Sequence, residues 1–295
     1  MTMGKKVLTI VVSYNFEPWL DQCLQSLLNA TVATKVLVVD NASSDQTVAR
    51  IRKDYPAVHV LENADNLGFG KANNLGFDVA VEQHYDYVFL VNQDGWVEQD
   101  CLEKLIAAEE DGVGIISPLH YDGEGKELDR GFATYFSKGE KVGEYLSVPF
   151  VNAAFWLIPV NVLKQVGYFS PLFYHYGEDV DLSNRMRFHG FETRVVPDAV
   201  AYHDRQFRHP TEDKFFHSEF VYFLTEYSNV NHGFFKSTAL ALGGAFKKSI
   251  KRLRNGEFGH AMRYLQMIGS LLVRSSQVIQ TRDKNKIGGK KSSYG

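Results

Sequence analysis

The chain lacks what would build a secreted or membrane-spanning protein. Its 295 residues contain two cysteines. Cys23 and Cys101 each fall on an apolar helical spacing (Leu20, Cys23, Leu24, Leu27; Cys101, Leu102, Leu105) and form no CxxC. That excludes a disulfide framework and a cysteine-built zinc site. Both read as small buried hydrophobes in a reducing compartment. No stretch approaches the about 20 apolar residues of a spanning helix. The apolar run at residues 7–12 is too short for a signal-peptide core. The expectation is a cytoplasmic protein, attached at most peripherally to the inner face of a membrane.

Positive charge is scarce in the first two thirds. Residues 1–204 hold 16 Lys and Arg against 29 Asp and Glu, a net of −13. Residues 205–295 hold 16 against 6, a net of +10, so the overall −3 hides an acidic body and a basic remainder. A basic remainder can meet anionic lipid or another acidic surface, or be a solvated helical face. Nucleic acid is not expected as a partner.

What is present is a regular alternation. Residues 7–12 form a β-branched apolar run, the mark of a strand buried on both faces. A helical spacing follows over 18–29, then strands at 35–40 and 58–61, a helix between them, a helix at 71–84 and a strand at 87–91. This β-α-β-α-β-α-β pattern predicts an α/β fold with a mostly parallel central sheet. Further on, the pattern predicts a helix at 100–110, strands at 114–117, 150–158 and 193–196, and helices at 161–166 and within 177–190. Residues 120–147, rich in glycine and charge, read as a hairpin or mobile excursion. The chain is helical in pattern from about 215. The expected organisation is a catalytic domain at 1–204, a helical C-terminal region at 205–281 and a disordered polar tail at 282–295.

Polar motifs stand at the ends of the predicted strands, where an open α/β sheet keeps its ligands. They are Val12-Ser13-Tyr14-Asn15, Val39-Asp40-Asn41-Ala42-Ser43, Asn66-Leu67-Gly68-Phe69-Gly70 with Asn73-Asn74, Asn92-Gln93-Asp94, Gly177-Glu178-Asp179-Val180-Asp181, and Pro197-Asp198 with His203. Asp40 can accept hydrogen bonds from a nucleoside, or cap the following turn. Gly68-Phe69-Gly70 suggests a dinucleotide fingerprint, but Asn73 stands where the third glycine belongs, and the motif follows the third strand rather than the first. Arg185, one helical turn beyond Asp181, is placed to pair with it.

Taken in order, these motifs resemble family 2 of the inverting glycosyltransferases, which have the GT-A fold, and within it the rhamnosyltransferase-like branch. The resemblance covers roughly residues 5–204. It implies a GT-A nucleotide-sugar-binding fold and a helical C-terminal addition. Ser13, Tyr14, Asp40, Asn66, Gly68, Asn73, Asn92 and Asn152 would then face the donor, with Asn152-Ala153-Ala154 leaving room for a sugar ring; for nearby Trp156, core packing is the expectation. Asp94, in an Asn-Gln-Asp variant of the Asp-x-Asp motif, would hold a divalent cofactor, Mg²⁺ or Mn²⁺, with His203. Asp179 aligns with the catalytic base, and Glu178 is the second candidate.

The expected function is transfer of a sugar, with inversion, from a nucleotide-diphosphate donor (dTDP-rhamnose or a UDP-sugar) to a hydroxyl of a glycan or lipid-linked glycan in polysaccharide biosynthesis. A nucleotidyltransferase would need a glycine-rich loop after the first strand, and residues 13–18 contain no glycine. A nucleotide- or glycan-binding module that has lost catalysis is the other alternative, and the presence of both Asp94 and Glu178-Asp179 counts against it. In the basic region, Lys247, Lys248, Lys251, Arg252 and Arg254 flank Phe246, Ile250 and Leu253, the form of an interfacial helix on anionic membrane. The other expectation for this segment is a helix packed on the catalytic domain with its charges in water, and a homo-oligomer stays open for the chain.

Overall fold

The structure is a computed structural model that describes residues 4–205 and 211–289. The expected alternation is there. Strands β1 (Val7–Ser13), β2 (Lys35–Asp40), β3 (His59–Glu62) and β4 (Tyr87–Asn92) are joined by helices α1 (Leu20–Leu28), α2 (Thr47–Asp54) and α3 (Gly68–Glu82). The second half contains β5 (Gly95–Val97), α4 (Cys101–Ala107), β6 (Val113–Asp122), α5 (Arg130–Phe136), β7 (Glu140–Val142), β8 (Tyr145–Val148), β9 (Phe155–Pro159), α6 (Val160–Val166), α7 (Glu178–Phe188) and β10 (Glu192–His203). Helices α8 (Glu212–Ser228), α9 (Phe234–Thr238), α10 (Gly244–Arg254), α11 (Phe258–Val273) and α12 (Ser275–Ile287) follow, with a π-helical turn before α10.

One sheet runs through the molecule in the order β3-β2-β1-β4-β9-β6-β10-β8-β7, with β5 paired to β10. β3, β2, β1 and β4 are mutually parallel; β9 is antiparallel to both β4 and β6, and β10 runs parallel to β6. The chain steps outward from β1 to β2 and β3, then returns to place β4 on the other side of β1. That reversal opens a crevice at the carboxyl ends of β1 and β4. The β-branched strands are buried on both faces. One core cluster packs under α1 and α4 and takes in Cys23 and Cys101; the other packs under α3 and α6. Trp156 is fully buried and stacks on Phe169, so its role is packing.

Several boundaries differ from the sequence reading. The 120–147 excursion contains α5, capped by Asp129 accepting from the Phe132 N–H, and the β7–β8 hairpin. The strand expected at 150–158 begins at Phe155. The tail expected from 282 is helical to Ile287; residues 290–295 lie outside the described residues. Arg282 is buried, and its guanidinium donates to the carbonyls of Tyr227 and His232 and to Ser237 Oγ at 2.7–3.2 Å. A segment held by carbonyl acceptors shows no hydrophobic period, which is why it read as a tail.

Two buried clamps fix α7 and α3. The expected pair forms: Arg185 donates to Asp181 at 2.9 Å, and also to the carbonyls of Val166 and Tyr168. Asn74 on α3 exchanges both amide bonds with the Phe169 backbone, at 2.9 and 3.0 Å. Replacing Asn74 by Ala leaves that backbone N–H and C=O without partners in the interior. An unpaired buried polar group costs about 1–3 kcal/mol. Asn74→Ala should lower the free energy of unfolding by that order in a urea titration; an unchanged midpoint would mean water replaces the clamp.

Candidate functional site

At the carboxyl ends of β1, β2 and β4 lies a cavity of about 620 Å³, lined by Val12, Ser13 and Tyr14, Asn41, Asn92, Gln93 and Asp94, the Asn66–Phe69 loop, and Tyr174, His175 and His217. Its size falls within the usual range for ligand pockets, about 300–1,000 Å³. The strand ends are cross-braced. Gln93 accepts from the Tyr14 N–H at 2.7 Å and donates to its carbonyl at 3.2 Å. Asn15 and Ala42, the residues that turn the chain out of β1 and β2, both sit at positive φ. Such strained positions in non-glycine residues gather at binding sites.

The loop ahead of α3 forms one wall. Gly68 has φ +77°, and a Cβ there would meet the Tyr174 carbonyl oxygen at 2.2 Å, so only glycine fits. Tyr174 in turn donates its hydroxyl to the Asn66 carbonyl at 3.0 Å, closing the 174–177 loop against this wall. The N-terminal end of α3 therefore borders the cavity, and its dipole favours an anion there.

A second cavity of about 260 Å³ adjoins the first and shares Phe69, Asn92 and His175 with it. It adds Asn152, Ala153, Ala154, Tyr176, Glu178, Asp179, His203 and Arg205. Glu178 and Asp179 open α7. Gly177 before them has φ +89°, and a Cβ would strike Val221 and Phe173. The two carboxylates differ in environment. Glu178 is buried, and its Oε2 has no hydrogen-bond partner. Burial, and then the charge of Asp179, push the Glu178 carboxyl well above the usual range. Burial also raises Asp179, but the N–H groups of Val180 and Ala153 donate to it at 2.8 and 3.4 Å, and the positive charge of Arg205 opposes the shift. Of the pair, Asp179 is the one equipped to hold a negative charge.

Asp94 and His203 meet between these elements. His203 Nε2 lies 3.1 Å from Asp94 Oδ1 and 3.4 Å from Asn92 Nδ2. His203 Nδ1 is buried without a hydrogen-bond partner, 3.8 Å from the carboxylate of Asp129, which also pairs with Arg205. Among the described residues no group of three or more ligating side chains gathers, so no all-protein cage forms. One carboxylate and one imidazole fit an ion such as Mg²⁺ or Mn²⁺ that completes its shell with phosphate oxygens and water. No Lys or Arg among the described residues lines the larger cavity, and Arg205 lines the smaller one.

The structure brings together Ser13, Tyr14, Asn66, Gly68, Asn92 and Asp94 in the larger cavity, and Asn152, Glu178, Asp179 and His203 in the smaller. Two residues expected at the donor face inward instead. Asp40 is buried, and its oxygens accept from Ser13 Oγ, Ser43 Oγ and the Ser43 N–H at 2.6–2.9 Å. It holds the turn after β2, and its neighbour Asn41 lines the cavity. Asn73 is buried one helical turn inside α3 and donates to the Phe69 carbonyl. Sequence reasoning missed Gln93, Tyr174, His175, Tyr176, Arg205 and His217. The aromatic run Tyr174-His175-Tyr176 directly before Gly177-Glu178 was a legible signal. Arg205 and His217 lie past the expected boundary at 204, so the C-terminal region supplies part of the lining.

Residues 9–167, more than half of the chain, match the family described as "Glycosyl transferase family 2". The chain is 26% identical over 230 residues to an N-acetylglucosaminyl-diphospho-decaprenol L-rhamnosyltransferase of Mycobacterium tuberculosis, covering 66% of this chain and 75% of the relative. Among solved structures, S. aureus TarS 1-349 in complex with UDP-GlcNAc superposes with a TM-score of 0.57 at 16% identity, over 96% of this chain and 88% of that one. A mannosyltransferase of Pyrobaculum calidifontis in complex with GDP-Man and Mn²⁺ gives 0.58 at 16% identity, over 94% and 81%. These likenesses establish the GT-A fold.

Proposed function

The chain belongs to glycosyl transferase family 2, and from that premise we propose that it moves a sugar, with inversion, from a nucleoside diphosphate donor to a hydroxyl of a glycan or lipid-linked glycan. The observation that carries this is the pair of adjoining cavities. One is large enough for a nucleotide and bordered by a helix N-terminus. The other ends on a carboxylate pair. The nucleoside lies against Ser13, Tyr14, Asn41 and Gln93, and the diphosphate reaches toward Asp94. The sugar enters the smaller cavity over Ala153 and Ala154, whose short side chains leave room for a ring.

Asp179 takes the proton of the attacking acceptor hydroxyl as the new bond forms at the anomeric carbon. Glu178, which keeps its own proton, does not compete for it. Asp94 and His203 would hold the divalent ion that the solved mannosyltransferase carries as Mn²⁺. Bound there, the ion supplies countercharge to the leaving diphosphate. Arg205 and Asp129 keep the His203 ring in place from behind. The likeness to the mycobacterial N-acetylglucosaminyl-diphospho-decaprenol L-rhamnosyltransferase supports a rhamnosyl donor and a lipid-linked acceptor.

The test is turnover on a panel of dTDP-, UDP- and GDP-sugars with short lipid-linked saccharides, read as released nucleoside diphosphate. One donor should turn over well above the rest, giving a product of inverted anomeric configuration by NMR. A product of retained configuration would overturn the single-displacement mechanism. Donor binding with no turnover on any acceptor would point to a module that has lost catalysis.

A further inference from the structure

The five helices after β10 form their own core around Phe216, Phe223, Tyr264 and Leu271. One of them, α10, buries only small residues, and its neighbour α11, which buries Ala261, Tyr264, Met267 and Leu271, carries a second apolar face outside. On α10 the buried positions are Ala245 and Ser249, the serine hydroxyl donating to the Ala261 carbonyl at 3.0 Å. Phe246 is 54% and Leu253 39% exposed, and with the half-buried Ile250 they repeat at i, i+4 and i+7, one apolar stripe beside the buried positions. A helix whose only destination was the core would put the phenylalanine and leucine inside. On α11, Phe258, Met262, Leu265, Leu272 and Val273 form a second outward stripe over four turns, and the two ends, Phe258 and Val273, are 70% and 84% exposed. Apolar residues scattered singly on a surface need no explanation, but stripes at helical spacing mark an interaction surface.

The cations divide in the same way. Of the five on α10, Lys248 pairs with Glu219 and Arg252 with Glu257. Lys247, Lys251 and Arg254 are exposed, repeat at i, i+4 and i+7 beside the apolar stripe, and form no ion pair among the described residues. The sequence reading of five flanking cations is thus corrected to three. These three stand outside the ion pairs that hold Lys248 and Arg252, so they remain available to an anionic partner. A protein partner of neutral or basic surface would leave these cations uncompensated. No helix among the described residues is long and apolar enough to cross a membrane.

We propose that the outer face of α10 and α11 is a membrane-docking surface that inserts Phe246, Leu253, Phe258 and Val273 among the headgroups of an anionic leaflet, with Lys247, Lys251 and Arg254 paired to lipid phosphates. Apolar insertion combined with a cationic flank is the physical form of an interfacial helix. Each cation near an anionic surface strengthens binding, and three together change partitioning on the order of 100-fold. The inference does not depend on what the site transfers. If the acceptor is lipid-linked, docking holds the catalytic cavities at the surface that carries it.

Co-sedimentation of the full chain with phosphatidylcholine vesicles, with and without phosphatidylglycerol, tests it. Binding should appear with phosphatidylglycerol, fade as salt shortens the range of the charges, and weaken on the order of 100-fold in Lys247→Gln/Lys251→Gln/Arg254→Gln. Phe258→Ser/Val273→Ser should weaken binding with every cation in place, which separates insertion from charge alone. All five positions are exposed, so unchanged thermal melts should confirm that the variants fold. No sedimentation with anionic vesicles at low salt overturns the proposal. So does a dimer in sedimentation velocity that Phe258→Ser/Val273→Ser abolishes while vesicle binding is unchanged, which would make this face a contact between two copies.

Discussion

Asp179→Asn should lower turnover by roughly 10²–10⁴, the usual worth of a positioned general base, while donor affinity stays within a few-fold. The substitution keeps the side chain's shape and an oxygen to accept from the Ala153 or Val180 N–H, so the opening of α7 is undisturbed. What it removes is the proton acceptor. The matching change at Glu178, Glu178→Gln, should matter far less, because burial and the charge of Asp179 hold that carboxyl well above the usual range and favour its protonated form. Both carboxyls are raised, so the sign of the pH effect follows. The base works ionised, and activity falls as pH drops through its pKa. The acid limb of kcat/KM should therefore stand above the ordinary carboxylate value of about 4, and it should be absent from the residual activity of Asp179→Asn. Turnover of Asp179→Asn within a few-fold of the parent, with the limb intact, would transfer the role to another group.

Asp94→Ala should abolish metal-dependent binding of the free nucleoside diphosphate and lower turnover by at least the order of 10², the loss typical when one element of oxyanion stabilisation is removed. The reason lies in the lining. Among the described residues Asp94 is the one carboxylate that lines the larger cavity, and no Lys or Arg of them stands there to replace an ion. A chelator should have the same effect on the parent protein, with recovery on adding Mn²⁺ or Mg²⁺. His203→Ala should give a smaller loss, since the imidazole is the second ligand and the phosphates remain. Titration calorimetry of nucleoside diphosphate with and without Mn²⁺ reads the binding half of this directly. Full activity in excess chelator would mean that the diphosphate is met by the α3 terminus and by groups outside the lining described here.

The apolar runs of β1, β2 and β4 and the helical spacing of α1 and α3 are local patterns, because whether a strand or helix face is buried repeats within a few residues. From them follow the alternation, the parallel sheet and the polar strand ends that hold Ser13, Asn92 and Asp94. The Asp181–Arg185 clamp was equally legible, being one turn apart on a single helix. Arg282 and Asn285 were not, since their partners are carbonyls and a carboxylate about 50 and 100 residues away.

The sequence by itself determined which strand ends carry chemistry and in what order, because that depends on periodicity and on turn residues fixed within each segment. Only the tertiary structure decided which of those polar groups line the two cavities. Asp40 and Asn73 line neither, because nearby Ser13, Ser43 and the Phe69 carbonyl satisfy them in the interior. His175, Arg205 and His217 line them because the 174–177 loop, the end of β10 and α8 come together over the sheet end. The difference in surroundings between Glu178 and Asp179, neighbours in the chain, is likewise tertiary: one carboxylate packs against α3 with an oxygen unpaired, the other meets two backbone N–H groups and the charge of a guanidinium. Desolvation and hydrogen bonding depend on what surrounds a group in space, and adjacency along the chain carries no record of it.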